Sequence, residues 1–114
     1  MTGNVKRFVG KTGYESIQIC EGLTIDKPYI LVTYTINFGQ VPETTARFLE
    51  NNHNNMMAVA TSGNKVWGNF YGKAGEIIAN KYNVPLISKF ELGGTNKDLE
   101  RFKQEVIKLD TGNY

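Results

Sequence analysis

The sequence has almost none of the residues from which covalent or metal chemistry is built, with one cysteine, Cys20, and one histidine, His53. A lone thiol closes no internal disulfide, and neither residue has neighbours at metal-ligand spacing. Cys20 therefore reads as a small strand residue, and His53 as a solvated member of the polar run Asn51 to Asn55. Charge of one sign is equally scarce. The formal net charge is +2 with 21% charged residues and no basic cluster, which excludes the electrostatic footprint of a nucleic-acid binder. No apolar run is long enough to span a bilayer and no charged-then-apolar leader opens the chain, so no membrane partner is expected and a cytoplasmic location is. Internal repeats and low-complexity tracts are missing too.

What is present is the material of one globular core: 114 residues with 40% apolar content, read as one domain over residues 1–114. Short apolar runs rich in β-branched and aromatic residues alternate with segments of helical period, the pattern of repeated βα units around a parallel sheet. The clearest strand is Tyr29 to Thr35 (YILVTYT), nearly continuous in apolar character, as a parallel strand covered on both faces should be. Pro42 suits a first helical turn, and Val41, Thr45, Phe48, Leu49 and Asn52 fall on one helical face. Met56 to Thr61 is a second buried strand. A helix from about Phe70 to Tyr82 follows, with Phe70, Ala74, Ile77 and Ile78 as its inner stripe.

Pro85 to Glu91 is a further strand, and Thr95 to Leu109 a helix opened by Thr95 and Asp98 at capping-box spacing, with Leu99, Phe102, Val106 and Leu109 along one side. Val5 to Lys11 forms a short helix, and the alternation of Tyr14 to Cys20 predicts a weaker strand. The mixed charges Lys97, Asp98, Glu100, Arg101, Lys103 and Glu105 describe a solvated helix face, while Tyr14, Tyr71 and Tyr82 are core-edge residues. Met1 to Val5 has the character of a strand-to-helix turn with no strand before it. In a doubly wound sheet of order 2-1-3-4-5, interior strand one is therefore expected to be absent from this sequence.

Ligands of such sheets bind in the loops at the carboxyl ends of the strands. Three loops qualify. Thr2-Gly3-Asn4-Val5 enters a helix and offers backbone amides, a hydroxyl and a carboxamide, the donors with which helix N-termini hold phosphate; taken alone it reads first as a plain helix start with a turn glycine. Thr35-Ile36-Asn37-Phe38-Gly39-Gln40 combines an aromatic with residues tolerant of left-handed backbone, although an ordinary βα connection has the same content. Ser62-Gly63-Asn64-Lys65-Val66-Trp67-Gly68 holds the only Trp in a polar loop, where an indole can flank an aromatic ligand.

Together, TGNVKRF from Thr2, VTYTINFGQVP from Val32, ATSGNKVWGNF from Ala60 and SKFELGGTNKD from Ser88 are similar in order and spacing to the motifs of the NrdI family. The resemblance covers nearly the whole chain. It implies a flavodoxin-like α/β fold, a doubly wound parallel sheet in three αβα layers, with FMN as cofactor. It also implies oxidant delivery to the small, dimanganese subunit of class Ib ribonucleotide reductase, with a separate flavin reductant. By the same resemblance Thr2, Gly3, Asn4 and Val5 hold the FMN phosphate, although the family's Ser just before this stretch is absent from this sequence. Thr33, Tyr34, Thr35, Asn37, Phe38 and Gly39, with Ser62, Gly63, Asn64, Trp67 and Gly68, flank the isoalloxazine ring. Family members often carry Gly where this chain has Asn37, and a peptide flip beside flavin N5 is easiest for Gly. The implied role is that of an activating factor, with no general acid, base or nucleophile of its own.

Two alternatives stand beside this. A flavin-free receiver-like module would need an acidic phosphoacceptor at a strand end, and Thr33-Tyr34-Thr35 has no carboxylate nearby. A general electron-transfer flavodoxin would carry a more acidic surface than a net charge of +2.

Overall fold

The computed structural model describes residues 2–35, 40–63, 68 and 71–110. In chain order these form α1 (Thr2–Thr12), β1 (Tyr29–Tyr34), α2 (Glu43–Asn52), a 3₁₀ turn (His53–Asn55), β2 (Met56–Gly63), α3 (Lys73–Tyr82), β3 (Leu86–Glu91) and α4 (Asn96–Asp110). The three strands form one sheet of order β1-β2-β3. Both pairings are parallel, with Leu31 opposite Val59 and Ala60 opposite Ser88. A register shift where β3 begins turns Ile87 toward the same face as Ser88.

Helices cover both faces, which is why the strands read as apolar runs. On one face α1 and α4 bury Phe8 and Phe102 against Ala58, Ala60, Ile87 and Phe90. The small alanines of β2 leave room for aromatic rings, and Phe8 stacks on Phe90 at 3.9 Å while meeting Phe102 edge-on at 5.3 Å. On the other face α2 and α3 bury Phe48, Leu49 and Ile78 against Leu31, Met56 and Val59. The expected stripe of α2 is therefore the buried one, and Thr45 and Asn52 are buried with it. At the start of α4 the capping box closes reciprocally: Thr95 N–H donates to Asp98 Oδ2 at 2.9 Å and Asp98 N–H to Thr95 Oγ1 at 3.2 Å.

Three expectations are corrected. Tyr14 to Cys20 is not a strand: none of its residues pairs with the sheet, and Tyr14 and Ile17 are 45% and 62% exposed. The reason is where the following backbone sends its hydrogen bonds. Asn52, 2% exposed, accepts from Ile25 N–H at 2.8 Å and donates to the Leu23 and Phe48 carbonyls at 3.0 and 2.9 Å. Asn55 donates to the Ile25 carbonyl at 3.1 Å. Ile19, Leu23 and Ile25 are thereby laid against the α2 side of the core as irregular chain, and Cys20 is exposed in the turn rather than set in a strand. Second, Ile77 is 38% exposed and Gly75 takes the buried position beside Ala74 and Ile78. Here α3 comes so close to β2 and β3 that only a hydrogen fits. Third, His53 is half-buried, with Nδ1 2.8 Å from the Leu49 carbonyl and its ring stacked on Tyr82 at 5.0 Å.

Candidate functional site

In a parallel sheet with crossover helices, every strand ends where a helix begins, so one edge gathers strand carboxyl ends and helix N-termini. That edge is well defined here. Ala74 N–H, in the first turn of α3, donates to the Oγ1 of Thr35 at 3.2 Å, which ties the start of α3 to the end of β1. Arg7 lies against Gly93 and Phe8 against Gly94, in the turn after β3, so the first turn of α1 sits at the same edge. Glu43, Glu76 and Asp98 supply an acid to the first turns of α2, α3 and α4. The first turn of α1 has none and carries the amides of Gly3, Asn4 and Val5 instead. Those amides could hold an external anion.

The strand ends are tied to one another. Thr35 N–H donates to the Ser62 carbonyl at 3.0 Å, one rung beyond β1. Ser62 Oγ donates to the Leu92 carbonyl at 2.6 Å, and Leu92 N–H to the Gly63 carbonyl at 2.9 Å. These two bonds hold Leu92 at φ 54°, a left-handed backbone unusual for a branched side chain, while 47% of the residue stays exposed. At Gly63 a Cβ would stand 3.2 Å from Tyr71 Cδ2 and 3.3 Å from Gly72 N, so the end of β2 is a backbone surface roofed by an aromatic ring. Burial pushes the Tyr71 hydroxyl pKa up, and the Asp98 and Glu91 carboxylates add to that.

The expected site residues separate accordingly. Thr2 to Val5 begin α1 and Tyr34, Thr35, Ser62 and Gly63 end β1 and β2, all at the one edge, with Gly68 on the approach to α3 at φ 58°. Thr33 is turned away from it. Its hydroxyl is buried under the sheet and shares a 3.0 Å hydrogen bond with Thr45 of α2. The hydroxyls of Thr35 and Ser62 are spent on Ala74 and Leu92, so these two positions offer a ligand shape rather than free donors. Asn37, Phe38, Gly39, Asn64 and Trp67 lie outside the described residues. Reading motifs missed Arg7, Leu92 and the Gly93-Gly94 turn, although the spacing of Arg7 three residues after Asn4 was a usable sign.

The donor set suits a phosphorylated ligand: helix amides, Asn4 and a nearby cation at one end, beside the tied ends of β1 and β2. Among the described residues no group of His, Cys, Asp or Glu could hold a metal ion. No helix of the described residues is long and apolar enough to cross a membrane. A cavity of about 520 Å³ runs along α2 and the 20–24 turn, lined by Cys20, Glu43, Arg47 and Asn51 among others.

Comparison with known proteins is consistent throughout. The family model described as NrdI Flavodoxin like matches residues 1–104. The Protein NrdI of Bacillus licheniformis is 48% identical over 96% of this chain and 85% of its own length. The SPbeta prophage-derived protein NrdI of Bacillus subtilis is 47% identical over 98% of this chain and 90% of its own. The Protein NrdI of Macrococcus caseolyticus is 45% identical over 96% and 85%.

Proposed function

This chain belongs to the NrdI flavodoxin-like family, and from that premise we propose that it binds FMN and supplies the oxidant that assembles the dimanganese-tyrosyl radical cofactor of class Ib ribonucleotide reductase. The observation that carries the flavin part is the convergence, at one sheet edge, of the acid-free first turn of α1 with the tied ends of β1 and β2. Thr2 to Val5 would hold the phosphate by their amides and the Asn4 carboxamide. Thr35 and Gly63 would form the floor under the ring, and Asn37 to Gly39, Asn64, Trp67 and Gly68 its flanks.

FMN held there would supply the chemistry of reducing dioxygen to a superoxide-type oxidant for a dimanganese site. The protein's own work is orientation and access. The Thr35 to Ala74 bond and the Ser62 to Leu92 bond would fix the floor before ligand arrives. Placement at an edge leaves one side of a bound ring open to oxygen and to a protein partner, namely the small reductase subunit, and to a separate reductant. Retention in the cytoplasm as one domain over residues 1–114 completes the reading.

The test has two stages. Purified protein loaded with FMN should show oxidised-flavin absorption bands, and Trp67→Ala should weaken FMN binding by about 1 kcal/mol, the scale of a lost aromatic contact. Reduced, loaded protein mixed with Mn(II)-loaded small subunit and dioxygen should then generate a tyrosyl radical signal by electron paramagnetic resonance. A flavin-bound protein that yields no radical would leave it a general electron-transfer flavodoxin; a protein without flavin affinity would overturn the proposal outright.

A further inference from the structure

Arg7 is a cation of α1 bonded to its first turn, and its position is specific. It follows Asn4 by one helical turn, and its Nη2 donates to Asn4 Oδ1. Its Nη1 lies 3.7 Å from where a Cβ on Gly3 would stand, and its Nε 3.2 Å from where one on Gly93 would stand. The guanidinium is thus laid across the first turn of α1 and the turn after β3, where a side chain at position 93 would crowd it.

That arrangement has a chemical consequence for Asn4. A carboxamide has one accepting and one donating end, and which end faces a ligand decides whether it attracts or repels an anion. With Oδ1 engaged by the guanidinium, the Nδ2 donors are the end left to face outward. The same guanidinium places a positive charge at a helix N-terminus, where the peptide dipoles disfavour a cation, and no first-turn carboxylate of α1 offsets it. An anionic ligand would relieve that.

We propose that Arg7 is a positioning residue for phosphate: it locks the Asn4 carboxamide with its donors toward the phosphate of the flavin nucleotide and makes binding at this turn selective for phosphorylated over unphosphorylated flavin. The inference rests on the flavin reading above. Arg7 acts through Asn4 and through its charge, with the Gly3, Asn4 and Val5 amides making the direct contacts.

The experiment compares FMN with riboflavin, which has the same ring and no phosphate, by titrating wild-type protein, Arg7→Met, Asn4→Ala and the double variant, and following flavin fluorescence. Methionine keeps the stem and the helix propensity while removing every donor. Arg7→Met should bind FMN about tenfold more weakly, the scale of one oriented hydrogen bond to an anion. It should bind riboflavin as wild type does, and the salt dependence of FMN binding should fall. In the Asn4→Ala background the same substitution should cost clearly less, since the two act as a unit. Equal losses for FMN and riboflavin, unchanged FMN affinity, or strictly additive losses would each overturn the inference and leave the flavin reading standing. Wild-type protein that binds neither flavin would overturn the flavin reading, and this inference with it.

Discussion

Replacing Gly75 by alanine sets two familiar effects against each other, and the structure decides which wins. In an exposed helix interior the change is favourable by about 1 kcal/mol, because glycine loses more backbone entropy on folding. Gly75 is not exposed. A methyl there would stand 2.7 Å from Thr61 Cγ2, 2.8 Å from Leu86 Cδ1 and 3.0 Å from Thr61 Cβ. Leu86 can rotate, but Thr61 is β-branched, buried in β2 and stiff at χ1, so it cannot yield. The helix must lift instead, and overpacking of this kind costs about 1–3 kcal/mol. The net expectation is a loss of about 1 kcal/mol, or about 4 °C in Tm for a chain of this size. Lifting α3 also strains the Ala74 to Thr35 bond, so flavin affinity should fall in the same variant. Asn80→Ala on the exposed side of the same helix supplies the control, with an expected gain of about 0.5 kcal/mol. Urea denaturation of the three proteins measures all of this. A Gly75→Ala protein more stable than wild type would show that α3 does not approach the sheet as described.

Two further outcomes follow from particular contacts. Asn52→Ala removes three hydrogen bonds of a buried carboxamide at once and should cost about 3 kcal/mol, with the 20–25 turn becoming the first site of limited proteolysis. Tyr29 donates its hydroxyl to the Asn52 carbonyl, and burial, followed by the neighbouring Tyr82, pushes its pKa up from 10.0 to about 12. A folded-state pKa above the unfolded value means that its contribution is whole below pH 10 and is lost as pH rises toward 12; Tyr29→Phe should flatten that part of the alkaline unfolding curve and remove one late phenolate from an ultraviolet titration.

How far the sequence reaches depends on what kind of bond settles each element. β1, β2 and β3 were legible because parallel strands covered on both faces must be apolar on both, and α4 because Thr95 and Asp98 cap it from within four residues. The segment after α1 was misread because alternation describes a side-chain pattern, whereas a strand exists only beside an edge that accepts it. What fixes that stretch is Asn52, 27 residues beyond Ile25, and no local pattern announces it.

The same distinction runs through the site. Thr33, Thr35 and Ser62 are all hydroxyl residues near strand ends, and composition treats them alike as ligand donors. Yet each hydroxyl is already bonded within the protein, to Thr45, Ala74 N–H and the Leu92 carbonyl respectively, partners that only the packing of α2, α3 and the turn after β3 brings within reach. Their part at this edge is to make it rigid. Among the described residues of this edge, the first turn of α1 is a source of donors that could serve an anion, because the backbone there cannot satisfy its own amides whatever the fold around it. That turn was legible as Thr-Gly-Asn for a local reason, whereas the place of Arg7 beside it was not, because only the fold brings the guanidinium against Gly93 in the turn after β3.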